Sequence, residues 1–172
     1  MSLDFDALMN MCADDVYAYL VSRMGNRFDA DDVFQATFLK AHRFLSSFRG
    51  ESNPKTWVMR IAMNEASSFR QRQGRELPLL ASEDTIVQPD ANSSMYDPVR
   101  AEEEDDVDKG LQNLSPELRD VLFFYYYKNM PYEDIATLIE KPVGTVKSRL
   151  FRAKEELRAF LEAHHDHRTP GR

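Results

Sequence analysis

The sequence lacks the features that membrane and secreted proteins need. None of its apolar runs approaches the ~20 residues that span a bilayer. Cys12 is the only cysteine, so no disulfide can form within the chain, and its apolar neighbours predict a buried structural role. The first six residues carry no basic and then apolar leader, so we expect no secretion signal. These absences favour a protein of the reducing cytoplasm.

The motifs of catalysis are also missing. The six glycines form no phosphate-binding loop, and no catalytic constellation of side chains is present. His164, His165 and His167 cluster near one end of the chain and could bind a metal together with Cys12 or an acid. Their spacing matches no common zinc pattern, so we interpret them as a fraying tail. The sequence therefore predicts a protein that is not an enzyme and holds neither metal nor cofactor.

Charge is present but unevenly distributed around a net value of −7. Residues 1–39 hold seven acids and two bases, residues 40–75 hold eight bases and two acids, and residues 77–110 hold ten acids and two bases. The distribution of charge along the chain indicates which surfaces bind a partner better than the net charge does. A chain with separate acidic and basic surfaces is expected to have two kinds of partner.

The first part of the chain, residues 1–76, predicts a compact domain of three helices. Apolar residues keep helical spacing over residues 4–25, from about Asp29 to Phe48, and from Pro54 to about Gly74. Asp29 is the predicted N-cap of the second helix. No stretch shows the sustained alternation of a strand, so the fold class is all-α.

Residues 77–110 predict a flexible acidic linker. They contain three prolines, a cluster of Asn and Ser, and five consecutive acids at 102–106. The part from Pro98 to Leu111 is also compatible with a helix that leads into the next domain.

Residues 111–172 predict a second helical domain. Ser115 is a natural N-cap and Pro116 suits the first helical position. A short helix from Pro131 to Ile139 and a tight turn at Glu140 and Lys141 precede another helix that starts at Pro142. Two helices joined by such a turn form a helix-turn-helix.

The helix after Pro142 has two unlike faces. Its apolar face repeats at three- and four-residue steps and contains Val146, Leu150, Ala153 and Leu157. The other face mixes hydroxyls and guanidinium groups, which suit phosphates and base edges, and contains Thr145, Ser148, Arg149 and Arg152. A solvated basic face is the alternative, but the preceding helix and turn favour DNA binding.

With both domains in view, the chain resembles the extracytoplasmic-function (ECF) sigma factors of the sigma-70 family. Two stretches carry the resemblance. The first runs from Asp29 to Ala41 and continues at Phe48-Arg49-Gly50 and at 57–64, and the second runs from Leu114-Ser115-Pro116-Glu117 through 142–150. Their combination across an acidic linker is far more specific than the helix-turn-helix alone.

The resemblance implies RNA polymerase core and promoter DNA as partners in transcription initiation, in many cases as a stress response. The helix from Asp29 is expected to dock on the clamp helices of the beta-prime subunit through Asp31, Asp32 and Gln35, and the beta subunit is a further contact. Ala36 stands where the family often has an acid. The resemblance further implies a cytoplasmic, nucleoid-associated protein and an anti-sigma factor, which in cases where it is anchored in the membrane would hold the protein at the inner membrane face.

The third helix corresponds to the part of the family that opens the −10 promoter element. Melted DNA requires a basic groove and a group that holds a flipped base. The residues that correspond are Lys55, Arg60, Asn64, Arg70 and Arg72. Trp57 is interpreted as core rather than as a stacking platform, and Met63 stands where the family usually has a base.

The last domain corresponds to the part that reads the −35 element in the major groove. The residues that correspond are Thr145, Lys147, Ser148, Arg149 and Arg152, of which the two arginines are expected to matter most. Two departures concern stability. Glu140 replaces the usual Gly and is expected in a left-handed conformation, and Pro131 replaces the usual Ser or Thr cap.

Two alternatives remain. A conventional helix-turn-helix regulator would bind duplex DNA without polymerase, and a decoy would bind core polymerase without DNA. A regulator would bind its DNA site as the free protein, whereas a sigma factor would bind a promoter only weakly without core polymerase. Neutralising Arg149 and Arg152 would leave the activity of a decoy unchanged.

Overall fold

The computed structural model describes residues 4–50, 52–76 and 98–166. These residues are helical or lie in turns, and no strand is found among them, which confirms the all-α class. The chain divides into two compact units, Met1–Gln88 and Pro89–Arg172. Of the flexible linker predicted over residues 77–110, residues 77–97 lie outside the described residues. No helix in the described part is long and apolar enough to cross a membrane.

The first unit contains three α-helices, α1 (Phe5–Met24), α2 (Arg27–Phe44) and α3 (Pro54–Glu76), with a short 3-10 turn at Leu45–Ser47. All three helices pack on one another. Their fully buried side chains come from the helical repeats seen in the sequence and include Leu8, Val16, Leu20, Val33, Val58 and Ala62.

The junction between α1 and α2 is tighter than the sequence predicted. Gly25 takes a left-handed conformation (φ 78°) and donates its N–H to the carbonyl of Val21, which ends α1. Asn26 then caps α2, because its side chain accepts the N–H of Asp29 at 2.8 Å. The prediction that Asp29 is the N-cap is wrong, since Asp29 lies within the first turn. The predicted helix to Phe48 is also too long, because α2 ends at Phe44 and gives way to the 3-10 turn.

The second unit contains α4 (Pro98–Asn113), α5 (Pro116–Leu122), α6 (Tyr132–Ile139) and α7 (Val143–Asp166), with a π-helical turn at Phe123–Tyr127 after α5. The last part of the predicted linker is therefore helical, since it lies in α4. Helix α4 packs on α7 and so contributes to the core of this unit. Gly110 lets the two helices approach, because a Cβ there would lie 2.6 Å from Cδ1 of Leu157.

The turns of the second unit carry the predicted departures from ideal caps. Glu140 is left-handed (φ 55°), as predicted, and it ends α6. Pro131 occupies the N-cap of α6 and Ser115 that of α5, and neither side chain makes a capping hydrogen bond. The backbone carbonyl of Ser115 instead accepts the N–H groups of Leu118 and Arg119 at 3.1 and 3.0 Å.

Candidate nucleic-acid interface

Helix α7 is held in place by its apolar face. Val146, Leu150 and Ala153 are at most 3% exposed and pack in the core of the second unit. The carbonyl of Pro142 accepts the N–H groups of Thr145 and Val146, so Pro142 precedes α7 and caps it through its backbone. With the apolar face buried, the opposite face of α7 points to solvent.

The five predicted −35 residues are spread over the solvent side of α7. Lys147, Ser148 and Arg152 are exposed, whereas Thr145 and Arg149 are half-buried at one edge of that side. The guanidinium of Arg152 lies 3.1 Å from the carboxylate of Glu156, one turn further along the helix. The Ser148 hydroxyl donates to the carbonyl of Thr145 at 3.0 Å.

Phe151 is a surface residue that the sequence analysis missed. Its side chain is 66% exposed, and it follows Lys147 and Ser148 by one turn on the solvent side of α7. An apolar group in a polar, basic face can contact the methyl group of thymine. Phe151 does not fit the three- and four-residue spacing of the apolar face of α7. This exception was the sequence signal that could have identified it.

Helix α3 brings together two of the five predicted −10 residues, Arg60 and Asn64, with Trp57, which the sequence analysis interpreted as core. Trp57, Arg60 and Asn64 follow one another at helical spacing along the side away from Val58 and Ala62. Asn64 is exposed and Arg60 is half-buried. Trp57 is half-buried against Phe48, with ring centroids 5.0 Å apart, so part of its ring remains accessible.

The other three predicted −10 residues lie apart from this stripe. Lys55 forms an ion pair with Asp15 of α1 (Nζ to Oδ2, 3.5 Å). Arg70 is half-buried and donates from Nη2 to the carbonyl of Arg23 at 2.8 Å, which ties α3 to the end of α1. Arg72 is exposed but is rotated by about 80° around the helix axis from Asn64.

Helix α2 presents the predicted polymerase-binding residues on one exposed stripe. Asp31, Asp32 and Gln35 are exposed, and the Asp31 carboxylate accepts the Tyr17 hydroxyl at 2.9 Å. Phe28 and Leu39, which the sequence analysis missed, flank them and are 79% and 73% exposed. Two large apolar side chains at the ends of a polar stripe are typical of a protein-binding surface.

No group of three potential metal ligands occurs among the described residues. His164 stacks on Phe160 with ring centroids 4.0 Å apart, and its Nδ1 lies 2.8 Å from the Phe160 carbonyl. The side chains of His165 and His167 lie outside the described part of the chain.

Two helical units, the second with a helix-turn-helix and an exposed basic helix, define a class of proteins that act on DNA. Family models agree with this class in both units. The model of Sigma-70 region 2 matches residues 8–76, and the model of Sigma-70, region 4 matches residues 104–157.

Curated relatives resemble the chain over most of its length. The RNA polymerase sigma-H factor of Pseudomonas aeruginosa is 34% identical over 166 residues, which cover 92% of this chain and 86% of the relative. The ECF RNA polymerase sigma-E factor of Haemophilus influenzae is 36% identical over 149 residues, which cover 80% of this chain and 77% of the relative.

Solved structures also match. The sigma factor RpoE of Bartonella quintana, in a co-crystal with the anti-sigma factor NepR, has a TM-score of 0.75 and 27% identity and covers 92% of this chain and 97% of its own. CnrH, solved in complex with the cytosolic domain of CnrY, has a TM-score of 0.64 at 23% identity and supports the fold alone.

The chain therefore belongs to the sigma-70 family, within its ECF group, and acts as a sigma factor that directs RNA polymerase to promoters. A conventional helix-turn-helix regulator is not favoured, because the region 2 match covers the whole of the first unit's helical core.

Proposed function

We propose that the two units divide promoter recognition between them. Helix α7 reads the −35 element, α3 holds the opened −10 strand, and α2 docks on core polymerase. The observation that carries this proposal is the solvent side of α7, where Lys147, Ser148 and Arg152 are exposed and lie away from the buried Val146, Leu150 and Ala153. A sigma factor of this kind works in the cytoplasm and catalyses no reaction itself.

The −35 contact is proposed to depend on residues near the middle of α7. Arg152 is 72% exposed at its side chain, so it can exchange the Glu156 carboxylate for a base edge or a phosphate. Arg149 is half-buried and reaches the DNA only from the edge of the helix. We therefore assign Arg152 the larger share of base discrimination and Arg149 a flanking contact.

The −10 contact is proposed to centre on Asn64. Its exposed amide can hydrogen-bond the edge of a base that has left the stack, and Arg60, one turn before it, can contact the backbone. The half-exposed Trp57 completes the stripe. Arg70 is engaged with the Arg23 carbonyl, so its contribution is to hold α3 on α1 rather than to bind DNA.

Core polymerase is proposed to bind the stripe of α2. The exposed acids and Gln35 supply polar contacts, and Phe28 and Leu39 supply apolar area whose removal from water stabilises the complex. We take the clamp helices of the beta-prime subunit as the partner of this stripe, in line with the family resemblance.

An anti-sigma factor is proposed as a regulatory partner. The support is the resemblance to RpoE, which was solved with the anti-sigma factor NepR. Release from such a partner, held in the cytoplasm or at the membrane, would make the polymerase-binding and DNA-binding surfaces available.

In vitro transcription tests the division of labour. Core polymerase is incubated with a pool of genomic fragments, with and without the protein, and the transcripts are sequenced. We expect transcripts that depend on the protein and share two sequence elements about 10 and 35 base pairs upstream of their starts. A failure to initiate at any fragment would contradict the proposed function.

Variants then assign each surface. Arg152→Ala should relax preference at one or two −35 positions by ~1–3 kcal/mol each, that is, by about 5- to 150-fold. Asn64→Ala should retain duplex promoter binding but lose strand opening, measured by permanganate reactivity of unpaired thymines. Glu156→Gln is the matched control, because it removes the intrahelical partner of Arg152 while leaving its guanidinium in place.

A further inference from the structure

An aromatic and cationic cluster lies beside the DNA-reading side of α7. We call it the tyrosine–lysine edge, and it consists of Tyr125, Tyr126, Tyr132, Lys147 and Lys154. The rings of Tyr125 and Tyr132 stack with centroids 5.2 Å apart and an interplanar angle of 13°. Tyr126 meets Tyr125 edge to face at 4.9 Å. Three phenols thus form one continuous row.

The two lysines of the edge rest on these rings. They are seven residues apart, so they lie two turns apart on the same side of α7. Nζ of Lys147 is 5.6 Å from the ring centroid of Tyr132, and Nζ of Lys154 is 5.3 Å from that of Tyr126 and 5.9 Å from that of Tyr125. A hydrogen bond with the Tyr126 phenol raises the pKa of Lys154 above its ordinary value. Both ammonium groups are therefore held in place by aromatic side chains.

A local backbone irregularity creates the row. The turn Phe123–Tyr127 is π-helical, and its first two aromatics are buried while Tyr126 is 56% exposed. Two aromatics of this turn therefore secure the core, and Tyr125 and Tyr126 remain at the surface beside α7. Helical turns of this kind are rare and are frequently found at functional sites.

The chemistry of the edge favours phosphate over a protein partner. Lysine ammonium groups and tyrosine hydroxyls both contact DNA phosphates, whereas lysine is depleted in the centres of protein interfaces. Two nearby acids of α7 are engaged with arginines, because Glu155 lies 3.1 Å from Arg158 and Glu156 lies 3.1 Å from Arg152. The two lysines instead lie against tyrosine rings, and both are exposed, so a phosphate can approach their ammonium groups.

The position of the edge matches the path of a DNA backbone. When a helix-turn-helix docks, its second helix enters the major groove and its first helix crosses the backbone. Tyr132 is the first residue of α6, the first of the two helices, and Lys147 lies on α7, the second. The edge therefore bridges the two helices on the side where the backbone would pass.

We propose that the tyrosine–lysine edge is a sequence-independent phosphate-binding site that clamps the backbone next to the −35 element. This inference rests on the proposed reading of that element by α7. It assigns Lys147 to a phosphate rather than a base, and it adds Lys154 and the three tyrosines to the DNA interface.

The salt dependence of promoter binding tests the site. Holoenzyme is assembled from core polymerase and the full chain, and its affinity for a duplex promoter fragment found by in vitro transcription is measured at several salt concentrations. Each phosphate contact contributes about 0.9 to the slope of log K against log salt. We expect Lys154→Gln to lower the slope by about that amount and to weaken promoter and scrambled −35 sequences equally. Lys109→Gln, an exposed lysine of α4, is the matched control and should leave the slope unchanged.

Substituting uncharged groups for single DNA phosphates then identifies which phosphate the tyrosine–lysine edge contacts. Replacing single phosphates beside the −35 element by methylphosphonates should weaken the wild-type holoenzyme at one or two positions, and Lys154→Gln should be insensitive at those positions. Tyr126→Phe, which removes only the hydroxyl, should weaken binding without changing the slope.

Three outcomes would overturn the inference. They are an unchanged slope in Lys154→Gln, equal methylphosphonate sensitivity in both proteins, and a loss of affinity for core polymerase without DNA, which would make the edge a protein-docking surface. Normal initiation by the wild-type protein together with any of these would refute the phosphate site alone. Absence of initiation would refute the proposed function itself.

Discussion

At the scale of single residues, the burial of Cys12 makes the free energy of unfolding depend on pH. It is 2% exposed, and its thiol donates to the carbonyl of Leu8 at 2.8 Å. Burial raises the pKa of the Cys12 thiol from 9.0 to about 11. Between these values the unfolded chain releases the proton and the folded chain keeps it, so the free energy of unfolding falls as the pH rises.

We predict that the difference in stability between the wild-type protein and the Cys12→Ala variant changes with pH. The stability of the wild-type protein relative to Cys12→Ala should fall by ~2 kcal/mol between pH 9 and pH 11. Trp57 is the only tryptophan, so its fluorescence during urea unfolding reports on the first unit. A difference that stays constant over this pH range would contradict the prediction.

Arg119 is a buried arginine that secures a helix end. It is 5% exposed, and its guanidinium donates to the carbonyls of Leu111, Gln112 and Leu114 at the end of α4. Helix ends leave carbonyls without intrahelical partners, and a buried carbonyl that loses its donor costs ~1–3 kcal/mol. The side chain thus supplies the hydrogen bonds that α4 cannot make within itself.

Arg119→Met should therefore destabilise the second unit by ~3 kcal/mol, because more than one carbonyl loses its donor. The loss should appear in the helical circular dichroism signal during urea unfolding, while the midpoint of Trp57 fluorescence stays unchanged. Arg158→Met is the control. Arg158 forms only a surface ion pair with Glu155, so that variant should change stability by less than ~1 kcal/mol.

At the scale of helices, the crossing of α4 and α7 depends on Gly110. An added Cβ would meet Cδ1 of Leu157 at 2.6 Å and Cδ1 of Phe160 at 3.0 Å. We expect Gly110→Ala to destabilise the second unit by ~1 kcal/mol, because overpacking outweighs the helix propensity of Ala.

Gly144→Ala provides the contrast for Gly110. A Cβ at Gly144 meets nothing within 4 Å, so only the propensity gain remains, ~0.5–1 kcal/mol in favour of the variant. Thermal unfolding of both variants measures the two signs. A stabilised Gly110→Ala variant would contradict the prediction, because it would show that the side chains of Leu157 and Phe160 can move aside without loss of stability.

At the scale of the whole molecule, we expect the α2 stripe to determine whether the protein reaches a promoter together with core polymerase. Leu39 is 73% exposed, so Leu39→Ser should leave the stability of the first unit nearly unchanged. It should weaken binding to core polymerase at least ~5-fold, since an apolar anchor at an interface contributes more than ~1 kcal/mol. Fluorescence anisotropy with labelled protein measures the affinity.

Met11→Ser is the matched control for Leu39. Met11 is 41% exposed on α1, outside the α2 stripe, so its loss should leave the affinity for core polymerase unchanged. Equal weakening by both variants would indicate a general effect of surface polarity and would contradict the assignment of α2.

Much of the fold could be predicted from the sequence because its signals are local. Apolar residues at helical spacing predicted α1, α3 and α7, and the left-handed conformation at Glu140 was expected because the family resemblance places Gly at that turn position. The cap of α2 was misassigned because Asn26 and Asp29 are both good caps, and the tight turn at Gly25 selected the earlier one. The roles of the proposed site residues remain predictions.

The sequence by itself determined the class of protein, the two helical units and the basic face of α7, because helical periodicity, caps and family motifs lie within short stretches of chain. The tertiary structure decided which charged residues are engaged elsewhere. Arg70 bonds to a carbonyl 47 residues away, and Lys154 meets tyrosines from a π-helical turn. Such contacts depend on how helices pack and on a backbone irregularity, and neither leaves a periodic trace in the sequence.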